Sequence, residues 1–265
     1  MNKELFKHNF KKQTLSLVFY SLSLFLFQLL MISLYPGMGE SMFEMMENIP
    51  EIMQNMFGGE IISLASLNNF VSIGYNHPIP VFILIIYPLN IAVSAIAAEI
   101  SRGTGELLFT KPIRRYKILV TNFLVIICGG IILAAFSILG TPVGMLFIDI
   151  EGTIDFIYLF RLFINSFALI IAVAGITFLV SVVFKNIKNS GKKAGIVIAF
   201  MYVLDFLVDI WDSIQSLRFT SIFHYYNPEK ILQGETTWLT DSIVLFLAGL
   251  LLVLLAVYFL EKRDL

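Results

Sequence analysis

Residues 99–119 read EISRGTGELLFTKPIRRYKIL, and seven of their side chains are charged in a chain that is otherwise mostly apolar. Read as a helix continuing from the apolar run upstream, Ile100, Gly103, Thr104, Leu107 and Leu108 recur at three- and four-residue spacing and form one face. Glu99, Arg102 and Glu106 lie elsewhere on that helix, with Arg102 and Glu106 at the i, i+4 spacing of a weak pair worth ~0.2–0.5 kcal/mol. Lys111 precedes Pro112, which pushes it out of helical geometry. A helix is therefore predicted to stop near Thr110 and another to begin at Pro112, where a proline is preorganised for the first turn. The reading is an elbow over 99–117 with a charged outer face, set between two apolar runs.

The composition says what those runs are. Of 265 residues, 58% are hydrophobic, 14% are charged and 25 are Phe, whereas a soluble domain is nearer half apolar and a quarter charged. The expectation is an all-α, multi-pass membrane protein, a single domain over 1–265. A hydrocarbon core needs about 20 apolar residues of helix to cross it. Six such runs are predicted, at 14–35, 80–98, 118–140, 156–184, 194–211 and 241–260. The first is too long, and lacks the small-residue cleavage pattern, to read as a cleaved signal peptide. Cys128 is the only cysteine, so no disulfide forms within the chain.

Lys and Arg concentrate on the cytoplasmic side of membrane proteins. Fifteen of the 18 basic residues fall in one set of segments: 3–12, 102–117, 185–193 and 262–263. Only Arg161, Arg218 and Lys230 fall in the other set. Both termini and the elbow are thus expected in the cytoplasm, and an even number of spans requires the same of the termini. Lys3, Lys7, Lys11 and Lys12, interleaved with Leu5, Phe6 and Phe10, suggest an interfacial helix over 1–13.

The first external segment, 36–78, carries Glu40, Glu44, Glu47, Glu51 and Glu60 and no Lys or Arg. Met42, Met45, Met46, Ile49, Met53 and Phe57 within it follow helical spacing, an amphipathic helix for the outer surface. In the second external segment, 212–240, Asn227 as cap, Pro228 as first residue and Gly234 as terminator predict a short helix. Trp211 and Trp238, the only two tryptophans, fall at the expected outer interface, where indole rings prefer to sit.

The run Glu99-x-x-Arg102-Gly103-Thr104-x-Glu106-Leu107-Leu108, followed by Pro112 and Arg115, resembles the signature of permease subunits of bacterial ATP-binding cassette (ABC) exporters of the type-2 permease family. Gly105 stands where that pattern usually has a larger apolar residue. Six spans, cytoplasmic termini, an acidic first external segment and the Tyr226-Asn227-Pro228 stretch before the last span extend the likeness over nearly the whole chain. The resemblance implies that the elbow is a coupling helix docking on a separate cytoplasmic ATP-binding subunit, present in two copies. It also implies a second permease subunit, identical or homologous, and residence in the bacterial cytoplasmic membrane. Glu99, Arg102, Gly103, Thr104, Glu106, Leu107, Leu108, Pro112 and Arg115 would be the coupling residues. ATP and Mg would be bound by the partner, with no cofactor in this chain, and the cargo would be hydrophobic or amphipathic: an antibiotic, a peptide or a lipid-like molecule.

Ionisable residues inside spans carry a cost of about 2.5–3.5 kcal/mol at the helix centre and so mark candidate sites. Arg161 in the fourth run and Asp205 in the fifth sit at similar depth and could pair; Asp205, Asp209 and Asp212 could instead line a path for cationic cargo. Gly129, Gly130, Gly140 and Gly144 could allow close helix contacts, while Pro142 is expected to break the third run. His8, His77 and His224 lack ligand spacing, so no metal site is assigned. The chain has no phosphate-cradling G-x-x-x-x-G-K-[ST] loop, no H-E-x-x-H and no G-x-S-x-G, so it is not expected to be an enzyme, and its basic clusters lack a nucleic-acid module. An ion-coupled secondary transporter is the main rival; it would normally show a clearer internal repeat and mid-span ions. An intramembrane protease is a second, for which Glu99 and Arg102 have no partner His within a span.

Overall fold

The computed structural model describes residues 3–47, 66–101, 115–148, 150, 152–184 and 190–262. Regular structure among them is entirely helical. The long helices are α1 (Lys3–Glu47), α3 (Pro78–Ser101), α4 (Arg115–Phe147), α5 (Phe156–Val183), α6 (Ser190–Ile210) and α8 (Trp238–Glu261), with short α2 (Leu67–Asn76) and α7 (Pro228–Leu232). Two 3-10 segments, Asp212–Thr220 and Phe223–Tyr225, lie between α6 and α7.

Among the described residues, five helices are long and apolar enough to cross a membrane: α1, α3, α4, α5 and α8. The run expected as the fifth of six spans forms α6, whose 21 residues include Lys192, Lys193 and Asp205, and it falls outside that group. Length is not what separates it, since 21 helical residues extend ~31 Å; its charges do.

Side-chain contacts give the helix directions. α1 and α4 run parallel: Asn9 Nδ2 donates to Asn122 Oδ1 at 3.1 Å near their starts, and Gly144 meets Ile32 near their far ends. α5 and α8 are also parallel, joined by Asn165 Nδ2 to Ser242 Oγ at 3.1 Å and by Gly175 against Gly249. α4 and α5 are antiparallel, with Phe123 against Phe178, ring centroids 6.4 Å apart, and Gly130 against Ile170. α3 and α6 are antiparallel too: Gly191 abuts Val93 and Phe82 meets Tyr202 at 5.8 Å. The starts of α1, α4 and α6 and the ends of α3, α5 and α8 therefore gather at one end of the bundle. Lys3, Lys7, Lys11, Lys12, Lys117, Lys192, Lys193 and Lys262 lie there, which makes it the basic end. α5 is the hub: it packs on α3, α4, α6 and α8, and nearly every side chain from Asn165 to Phe178 is buried.

Several expectations change. The segment expected as a separate interfacial helix is, from Lys3 on, continuous with the first span, because nothing between Lys3 and Pro36 breaks the helix. Phe6 and Phe10 stack on each other at 5.8 Å and pack against the core, which ties these turns to the bundle. α1 also passes through Pro36 to Glu47, at 45 residues; ~68 Å of helix exceeds a ~30 Å hydrocarbon core. The rest of the amphipathic external segment, 48–65, lies outside the described residues.

Pro142 does not break α4, which continues to Phe147. A proline deletes one backbone hydrogen bond, and in a membrane bundle neighbouring helices hold the segment helical. Here α1 does so. A Cβ at Gly140 would collide with the Phe25 carbonyl oxygen, and one at Gly144 with Ile32 Cγ2, so the G-x-x-x-G flanking Pro142 is the α1–α4 seam.

At the far end, α2 was unanticipated. Ser66 caps it, its Oγ accepting from Asn69 N at 3.3 Å. It ends at Asn76 because His77 precedes Pro78 and is extended (φ −59°, ψ 139°); Pro78 then opens α3. α7 follows its predicted punctuation: Asn227 Oδ1 accepts from Lys230 N at 3.2 Å, Pro228 is the first helical residue, and Gly234 beyond it takes φ +84°.

Candidate coupling end and the opposite cap

The elbow's anchors are among the described residues. Glu99 lies in the last turn of α3 and Arg115 is the first residue of α4; Arg102, Gly103, Thr104, Glu106, Leu107, Leu108 and Pro112 lie outside the described residues. The two anchoring helices are locked together farther along. Tyr87 of α3 places its ring and hydroxyl in the space a Cβ at Gly129 of α4 would take, and its hydroxyl donates to the Val125 carbonyl at 3.4 Å. Gly129 admits a tyrosine that any larger residue would exclude. The two helices that the elbow joins thus cannot slide past one another without dislodging Tyr87.

Around it, Lys3, Lys7, Lys11, Lys12 and Lys192 are exposed. Lys193 rests its ammonium 3.9 Å from the Phe184 ring centroid, and Lys262 reaches the Tyr258 hydroxyl and ring. The aromatic faces hold these amines at the rim of the basic end.

The opposite end is closed by α2, the 3-10 segments and α7. Tyr75 of α2 is buried and its hydroxyl bonds Thr141 Oγ1 of α4 at 2.8 Å; Tyr226 Oη donates to the Tyr75 carbonyl at 3.4 Å. Burial raises both phenols well above their ordinary pKa, so both stay neutral donors. Asn165 Nδ2 of α5 donates to the Tyr225 carbonyl at 2.9 Å, Asn68 Nδ2 to the Leu232 carbonyl at 2.9 Å, and Gln233 Nε2 to Asn69 Oδ1 at 3.0 Å. Beneath these bonds Ile32, Leu67, Val71, Ile138, Leu162 and Leu232 form an apolar cluster separate from the main core.

Arg161 departs from its expected pairing with Asp205. Its guanidinium lies 5.3 Å from the Tyr158 ring centroid and 5.2 Å from that of Trp238 at the start of α8. Nε is buried with no hydrogen-bond partner among the described residues. The side chain turns toward the parallel neighbour α8, whereas Asp205 sits half-buried on α6; matching depth did not specify which helix it faces. Asp209 lies in α6, its side chain outside the described residues.

Neutral polar residues were the missed signal. Gln28, Asn122, Thr141 and Asn165 are buried within long apolar helices, where an unmatched amide or hydroxyl is costly and so marks a helix contact. Gln28 Oε1 comes within 2.8 Å of where a Gly74 Cβ would stand, so α2 lies close against α1 at this glycine.

The five membrane-length helices among the described residues define a polytopic membrane protein. The family model for ABC-2 family transporter protein matches residues 4–265, and the chain belongs to that family. It is an ABC transporter permease. Members are membrane subunits, normally without an ATPase site of their own, that generally work with a cytoplasmic ATP-binding subunit. Among curated proteins no match is found.

Proposed function

We propose that this permease exports a hydrophobic or amphipathic molecule, and that the 99–117 elbow receives the motion of the ATP-binding subunit. The observation that carries the reading is the Tyr87–Gly129 lock between the two helices on which the elbow is mounted. A push on the elbow then moves α3 and α4 together. α4 in turn is seamed to α1 through Gly140 and Gly144, so the displacement reaches α1 and, through Thr141 and Tyr75, the cap at the far end. Interfaces of this kind transmit small shifts as rigid-body movement.

The basic end faces the cytoplasm in this reading, with α6 as a sixth crossing that returns the chain to that side. Two permease copies and two ATP-binding subunits make the working complex, and ATP and Mg stay in the latter. Asp205 and Asp209 on α6 would meet any cationic part of the cargo.

The test is co-purification of the ATP-binding subunit with Glu106→Lys and Arg115→Glu variants. Both should insert in the membrane at wild-type level and retain at most a tenth of the partner, equivalent to ~1.4 kcal/mol of docking free energy. Retention at wild-type yield by both would refute the coupling role.

A further inference from the structure

We propose that Arg161, Tyr158 and Trp238 form a binding site for the phosphodiester of a membrane phospholipid at the capped end of the bundle. The proposal needs only the membrane placement, not the transport reading.

A guanidinium carries five N–H donors, and an aromatic face satisfies none of them as an in-plane acceptor would. Arg161 is half-buried beside two rings, with Nε buried and unbonded, and no carboxylate among the described residues pairs with it. The charge and the in-plane donors thus call for an anion with paired oxygens, which phosphate supplies to an arginine fork.

Depth and surroundings say where that phosphate comes from. Arg161 is five residues into α5, whose first residue is Phe156, or ~7 Å along the axis. Trp238 opens α8, and indole and phenol rings favour the headgroup level of a bilayer. Phe156, Ile157, Phe160 and Leu239 nearby are exposed apolar side chains, a surface suited to acyl chains. An anion held there is therefore expected to be attached to a lipid tail.

Trp238 is the reporter. With Trp211→Phe, it is the only tryptophan left. The full chain in detergent micelles is titrated with brominated phosphatidylglycerol, whose bromines quench an indole they touch. Saturable quenching is expected, with at least fivefold more lipid needed for half-saturation when the probe is a brominated diacylglycerol with the same chains and no phosphate. Arg161→Gln should impose a similar fivefold loss on the phospholipid, Arg161→Lys a smaller loss because the ammonium keeps the charge without the fork, and millimolar inorganic phosphate should not compete. Equal quenching by the two lipids overturns the proposal, and this comparison does not depend on the Arg161 variants folding. Competition by inorganic phosphate would overturn the lipid source and leave a soluble-anion site.

Discussion

Alanine at Gly249 and alanine at Gly195 add the same methyl group to helices of the same protein, and they are expected to move its stability in opposite directions. At Gly249 of α8 the new Cβ would stand 2.6 Å from the Ile171 carbonyl oxygen, 2.7 Å from its carbonyl carbon and 2.8 Å from Ala172 N. All three are backbone atoms of α5, which cannot rotate aside. Contact becomes attractive only near ~3.5 Å, so the helices must part by close to ~1 Å along the seam. Overpacking of this kind costs ~1–3 kcal/mol, offset in part by the ~1 kcal/mol that Ala gains over Gly in a helix. Because all three clashing atoms are backbone, the cost falls in the upper part of that range, ~2–3 kcal/mol, and the net expectation is a loss of ~1–2 kcal/mol, or ~3–6 °C in the unfolding midpoint for a chain of this size. At Gly195 of α6 nothing lies within 4 Å of the added atom, and only the helix gain of up to ~1 kcal/mol remains. Thermal unfolding of the purified protein in one detergent, followed by circular dichroism, reads both. If Gly249→Ala melts at or above the wild type, the backbones of α5 and α8 are not in contact there and the α5–α8 seam as described is wrong.

The Tyr75–Thr141 bond lends itself to a double-mutant cycle. Tyr75→Phe and Thr141→Val should each cost ~1–2 kcal/mol, and the double change should cost ~0.5–1.5 kcal/mol less than their sum; strict additivity would mean the bond contributes nothing. For Arg161→Leu and Asp205→Leu the expectation is the reverse: since Arg161 lies against Trp238 of α8 and Tyr158 of its own helix, their stability losses should add within ~0.5 kcal/mol, and strong coupling would restore the ion pair. With Cys128→Ser as background, Glu4→Cys and Lys262→Cys should resist membrane-impermeant thiol reagents in intact cells while Glu47→Cys labels. Ready labelling at position 4 or 262 would invert the assigned sidedness.

Much of the scaffold is legible without coordinates, because its cause is local. Apolar run length reports which segments can lie in hydrocarbon, and five of the six runs form helices of crossing length and apolarity. The basic clusters mark one end of the bundle since α1, α4 and α6 all start there. Asn227, Pro228 and Gly234 act within a few residues of themselves, through a cap, a fixed φ and a positive φ, so α7 is written in its own punctuation. The family signature reads directly from the order of residues in the elbow.

What distance along the chain conceals is partnership. Whether Pro142 breaks a helix depends on whether a neighbour holds the segment, and α1 does so through residues more than a hundred positions away. Gly175 and Gly249 show no paired spacing within either helix, yet they are where two backbones touch. Arg161 had a plausible carboxylate at its own depth and turned instead to Trp238, because depth is one coordinate and the direction a side chain faces is another, set by how α5 is rotated between α6 and α8. Local chemistry by itself determined which apolar runs become long helices and where α7 starts and stops. Only the packed bundle decided which faces meet, because that choice is made by shape and by buried polar groups seeking partners across helices.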